Sequence, residues 1–176
     1  MEHSRSVDAV VKMGIKRVIT PEGKNLRQNL KALEGMVGKV GWFENSKYPD
    51  KDKTPVAMVA AQNEFGNPSK HIPARPFMRP TITEKKTEWL KIAEQGSLAV
   101  IEGRRNIGQV MDAIGLKASA DIKKKISTIW EPPLSPRTIA ARLEKKSNKK
   151  VIGNLTKPLI DTGLMYGTLI NTVEAE

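Results

Sequence analysis

The chain reads as an α+β domain: a small, mostly antiparallel sheet packed against several helices, with an extended proline-rich arm. Three observations predict this. Strand-like patterning lies at the start and end of the chain, with helical patterning between. The longest apolar periodicity, Ile107, Met111, Ile114, Ala118, Ile122, Ile126 and Ile129, steps by three or four residues, the period of one helical face. Between two helical segments lies a connection punctuated by Pro68, Pro73, Pro76 and Pro80.

Residues 1–12 are mostly polar and read as a flexible arm, leaving 13–176 as one domain. Met13 to Ile19 reads as a short strand. Thr20-Pro21 then has the form of an N-cap followed by proline at the first helical position. Leu26, Leu30 and Leu33 share a face of that helix, and Gly35 can end it. Met36 to Phe43 reads as a strand and Asn45 to Lys53 as a polar loop. Thr54-Pro55 repeats the helix-start signal. The Ala-, Val- and Met-rich helix that follows is expected to be buried on most sides and to close at Gly66.

Beyond the prolines, Thr81 with Glu84 has the spacing of a capping box. Trp89, Leu90, Ala93, Val100 and Ile101 then form a helical stripe, with Gly96 weakening its middle. Asn106 is placed to cap the long isoleucine-striped helix, which Pro132-Pro133 stops. Ser135-Pro136 opens a shorter helix carrying Ile139 and Leu143. Thr168 to Val173, rich in β-branched residues, reads as the last strand. The expected core is the isoleucine stripe packed against the sheet formed by the Val37–Phe43 and Thr168–Val173 regions.

Composition narrows the function. At 176 residues, with 39% hydrophobic and 28% charged residues, the chain can bury a core and is expected to be an ordinary soluble protein. It has no cysteine, which excludes disulfides and thiolate-ligated zinc and fits a reducing compartment. No apolar run approaches the roughly 20 residues that span a bilayer, and the N-terminus lacks a signal-peptide layout. A formal charge of +11 favours polyanionic or acidic partners. The densest basic stretch holds Arg137, Arg142, Lys145, Lys146, Lys149, Lys150 and Lys157 against Glu144 alone. It is a candidate contact for nucleic acid or an acidic protein surface, or simply a solvated face. Aromatic residues do not interleave with it and no base-reading module is present, so sequence-specific recognition is disfavoured.

No catalytic constellation, cofactor site or metal site is expected. Ile160-Asp161-Thr162-Gly163 has the triplet of aspartic proteases, whose two carboxylates share one proton. Leu164 replaces the usual Ala or Ser, and only 13 residues follow Gly163, too few for the β-rich remainder. A cap for a short turn or helix is the simpler role for Asp161 or Thr162. His3 and His71 are the two histidines, and neither has partners at ligand spacing.

The stretch from Glu64 to Pro80 is the most distinctive. Each proline fixes φ and biases its predecessor toward extended geometry. A stiff arm results, with Phe65, Ile72, Arg75, Phe77 and Arg79 as candidate anchors for a neighbouring protein. Arg75 and Phe77 are two apart, so on an extended segment they point the same way. Alternatively the loop packs on its own domain, with Phe77 a core residue and Arg75 capping a helix C-terminus.

Two motifs here resemble a known family. Glu64-Phe65-Gly66 followed by Ile72-Pro73-Ala74-Arg75-Pro76-Phe77-Met78-Arg79-Pro80 is the first, and Pro133-Leu134-Ser135-Pro136-Arg137-Thr138-Ile139 with Lys157-Pro158-Leu159-Ile160-Asp161-Thr162-Gly163 the second. In this order and spacing they resemble the neck and tail-component proteins of tailed bacteriophages. These are the head–tail joining or tail-completion proteins of lambda-like and Mu-like phages. The resemblance covers the chain from about Met13 onward. It departs at Leu164 and Tyr166, where the family more often has polar residues, and in a longer stretch from Ala140 to Thr156.

The resemblance implies a non-enzymatic virion protein, assembled in the host cytoplasm, that forms a ring around the DNA channel at the head–tail junction. Its partners would be copies of itself and adjacent connector, head-closure or tail-terminator proteins, with non-specific contact to channel DNA and none to membrane. A tail terminator is the alternative within the virion. A basic nucleic-acid-binding protein is the alternative from another class.

Overall fold

The computed structural model describes residues 21–33, 35–146 and 154–175. The expected strand at Met13 to Ile19, Lys149 and Lys150 lie outside them. In chain order the elements are α1 (Pro21–Leu33), β1 (Met36–Gly41), α2 (Val56–Phe65), α3 (Met78–Ile101), α4 (Ile107–Thr128), α5 (Pro136–Lys146), α6 (Leu164–Gly167) and β2 (Ile170–Ala175). A 3₁₀ turn, Pro68–Lys70, interrupts the proline loop. The architecture is mixed α+β, as the patterning predicts.

The strands pair antiparallel, from Met36 opposite Ala175 to Gly41 opposite Ile170. Helix α4 packs on both strands and against α3. Its start is set by a capping box: Asn106 Oδ1 accepts from the Gln109 N–H at 2.8 Å, and Gln109 Oε1 accepts from the Asn106 N–H at 3.2 Å. The helix buries Ile107, Val110, Gly115, Ala118, Ser119, Ile122 and Ile126, so the predicted stripe is the core face.

Two apolar clusters result. One gathers Val56, Ala60, Phe77, Ile122, Ile126, Met165 and Leu169, with Val40 and Trp42 packed beside them. Trp42 meets Phe77 edge-on at 5.8 Å and donates its indole N–H to the Met165 carbonyl at 2.7 Å. The second joins Val100, Ile107 and Val110 with Met36, Met111 and Ile114.

Several sequence expectations are corrected. Leu26 and Leu30 are exposed, and α1 is tied to α3 partly by Asn29 Nδ2 donating to the Val100 carbonyl. Helix α2 buries only Val56, Ala60 and Glu64, a stripe at i, i+4 and i+8, and leaves Met58 and Phe65 exposed. Helix α3 starts at Met78 rather than Thr81. Thr81 Oγ1 donates to the Phe77 carbonyl, while Glu84 accepts from Lys125. Leu90 and Ile101 of the α3 stripe face outward.

Gly96 is the point where α4 crosses α3, since a Cβ there would collide with the Val110 side chain. At Gly115 a Cβ would stand 2.7 Å from Asn171 Cβ, so this glycine lets β2 lie close on α4. The last strand begins at Ile170, two residues later than its β-branched run suggests, because Thr168 caps α6.

Candidate docking groove

Glu64 organises the site. It is the buried carboxylate near the end of α2, and it receives the N-terminus of α3. Oε2 accepts from the N–H groups of Phe77 and Met78 at 2.7 and 2.9 Å, and Oε1 accepts from the Arg79 N–H and Nε at 3.0 Å each. A helix N-terminus leaves such donors without intrahelical partners and favours negative charge. Burial by itself raises the Glu64 pKa, but these hydrogen bonds outweigh it and hold the carboxyl below the ordinary glutamate range. Sequence reading missed this role. The available signal was an acidic residue beside a helix C-terminus, where the macrodipole disfavours it.

With α3 anchored, the proline loop turns inward. Phe77 has no exposed surface and belongs to the core. Arg75 is 5% exposed; its Nε donates to the Pro132 carbonyl at 2.6 Å and its Nη2 to the Pro133 carbonyl at 2.8 Å. The loop is held from its other side by the Arg75 N–H donating to the Asn63 carbonyl at 2.7 Å. These contacts correct the docking-anchor assignment of Phe77, which faces the subunit's own interior, and hold Arg75 on the subunit's own carbonyls at the wall of a groove. Arg75 does cap carbonyls, though those of the Pro132-Pro133 segment rather than of a helix end.

Phe65 and Arg79 do face outward, stacked with the guanidinium 4.7 Å from the ring centroid. Ile72 is half-buried.

Arg142 of the basic stretch is also internal, at 8% exposure. Its Nη1 donates to the Lys157 carbonyl at 2.7 Å and the Leu155 carbonyl at 3.1 Å, and reaches the Ile160 carbonyl at 3.4 Å. Its Nε lies 3.4 Å from Asp161 Oδ1. Between two of these carbonyls Leu159 adopts φ 63°, in a tight turn closed by the Ile160 N–H donating to Pro158 O at 2.8 Å. This conformation is costly for a branched residue, and Arg142 clamps both sides of it.

Lys157 is buried too. It donates to the Ile129 carbonyl and lies 3.8 Å from the Trp130 ring centroid, and burial lowers its pKa. Thus Arg142 and Lys157 donate to the subunit's own carbonyls rather than standing on an open basic face. Arg137 remains exposed at the start of α5, and Lys145 and Lys146 end that helix.

The proline loop and the C-terminal motif therefore meet. Between them opens a groove of about 1670 Å³, lined by Tyr48, Ile72–Arg75, Pro133–Pro136, Arg142, Leu159 and Asp161–Met165 among others. Burial lowers the Arg75 pKa, and the neighbouring Arg142 charge lowers it further. Burial, then Asp161 and Asp50, raise the Tyr48 pKa. Asp161 pairs with Arg142, and Thr162 Oγ1 accepts from the Leu164 N–H at 3.3 Å in the turn before α6, whose N-cap is Gly163 rather than the expected Asp161 or Thr162.

Among the described residues no group of three metal-ligating side chains converges, and no helix is long and apolar enough to cross a membrane. Comparison with protein-family models, curated proteins and solved structures finds no match.

Proposed function

We propose that the chain is a structural, non-enzymatic subunit of a tailed-phage virion, forming or joining a ring at the head–tail junction. The observation that carries this reading is the coupling of the two motifs that resemble neck and tail-completion proteins. They lie about sixty residues apart in sequence, yet Arg75 of the first hydrogen-bonds the Pro132-Pro133 segment that opens the second. A pair of motifs that builds one structural unit supports a shared role better than two unconnected matches would. The outward Phe65–Arg79 stack and Ile72 are the candidate subunit contacts, and the buried Phe77 is not one.

Electron microscopy of virions carrying labelled protein tests the reading. Label at one axial level of the neck is expected. Label along the tube, or virions without label, would overturn it. A label above the tube but retained on isolated tails would favour a tail terminator instead.

The net charge of +11 supports the second reading, a basic nucleic-acid-binding protein. Titration with duplex DNA at several salt concentrations separates the two. A ring subunit binds weakly and with steep salt dependence, whereas a dedicated binder retains affinity near physiological salt.

A further inference from the structure

We propose that the groove receives an extended acidic segment of a partner protein, seating a carboxylate against Arg75 and Arg142 and an adjacent apolar side chain beside Leu134 and Leu159. The inference stands apart from the virion reading, because it concerns what the isolated subunit binds.

Charge complementarity selects the occupant. Two buried arginines, Arg75 and Arg142, contribute to the lining. Among the described residues Arg75 bonds only neutral carbonyls, and Arg142 has Asp161 as its ion-pair partner, at the long distance of 3.4 Å. The other carboxylate of the lining, Asp50, is exposed and accepts the Thr54 N–H of its own turn. His71 and Tyr48 complete the titratable groups there. Two desolvated cations facing one carboxylate favour one more, and guanidinium geometry suits a carboxylate well.

The size of the groove exceeds the roughly 300–1,000 Å³ of an ordinary small-molecule pocket. Pro49, Pro68, Pro73, Pro133 and Pro136 in its lining offer no N–H groups. These prolines thin the backbone donors of the lining and shift recognition toward side-chain donors and apolar contact, which a peptide side chain meets. A run of phosphates would bring charge against Asp50 and Asp161 as well as the arginines, whereas a single carboxylate need meet only the two guanidiniums, which argues against nucleic acid as occupant.

The test pans the purified protein against displayed random dodecapeptides. Recovered peptides are expected to share Asp or Glu beside an apolar residue. Replacing that acid by its amide in a synthetic copy should weaken binding about tenfold or more by calorimetry, the scale of a hydrogen bond to a charged group. Ala74, exposed in the lining, supplies variants that spare the buried arginines. Ala74→Glu should weaken binding several-fold at unchanged melting temperature, and Ala74→Lys should not.

Recovery of non-acidic peptides, equal binding of acid and amide, or indifference to Ala74→Glu would each overturn the proposal. So would sedimentation of the protein alone as an oligomer that Ala74→Glu dissociates, since a second copy would then fill the groove.

Discussion

Replacing Glu64 by glutamine tests the joint between α2 and α3. The carboxylate accepts four hydrogen bonds, two on each oxygen. An amide keeps one acceptor oxygen and turns an NH₂ group toward the donors served by the other. At least two charge-assisted bonds are lost, and at the low end of about 1.5 kcal/mol each the cost is about 3 kcal/mol. For a chain of this size that corresponds to a fall in Tm of roughly 6–12 °C.

Thermal melts followed by circular dichroism read this directly. Glu88→Gln is the control. Glu88 is an exposed carboxylate bonded to Lys85 and Lys117, and solvent screening should keep its effect on the melt well below that of Glu64→Gln. A Glu64→Gln melt within two or three degrees of the parent, or no larger a shift than Glu88→Gln produces, would refute the reasoning.

The pH dependence follows from the same geometry. The folded pKa of Glu64 lies below its unfolded value. The stabilisation is therefore complete above the unfolded pKa of about 4.3 and is lost as pH falls through the folded pKa. The Tm difference between Glu64→Gln and parent should shrink across that acidic window.

Further predictions separate inward from outward residues. Phe77→Ala, which empties a fully buried site, should cost roughly 3–5 kcal/mol in urea titration, whereas exposed Phe65→Ala should leave the unfolding midpoint nearly unchanged. If the outward stack contacts a neighbour, Phe65→Ala subunits should fold normally yet leave phage heads and tails unjoined, as counted by microscopy. Gly96→Ala gains helix propensity, but its methyl meets Val110, so net destabilisation of about 1–3 kcal/mol is expected from overpacking; a raised Tm would show that α4 shifts freely. Arg142→Lys keeps the charge but supplies one ammonium in place of a fork holding three carbonyls and Asp161. Limited proteolysis should then cut within 155–161 faster than in the parent, and equal rates would remove Arg142 from its clamping role.

Periodicity and local chemistry were legible in the chain itself. The isoleucine stripe, the Asn106 cap, Gly66 closing α2 and the two strands that became β1 and β2 depend on neighbours within a few residues, so the sequence by itself determined them. It also determined that the prolines make the connection stiff.

What depended on distant partners was decided by the tertiary structure alone. Local spacing favoured Thr81 as the α3 cap, but a carboxylate from α2 binds the N–H groups of Phe77, Met78 and Arg79, and the cap falls four residues earlier, at Phe77. The exposed polar look of Arg75, Arg142 and Lys157 in sequence gave way because folded carbonyls from remote turns accept hydrogen bonds from them. Gly96 read as a weak point along one helix and is a crossing point between two. A one-dimensional pattern records a residue's neighbours along the chain. Which way the proline loop turns was settled by Glu64 and the Pro132-Pro133 carbonyls, whose approach exists only after folding.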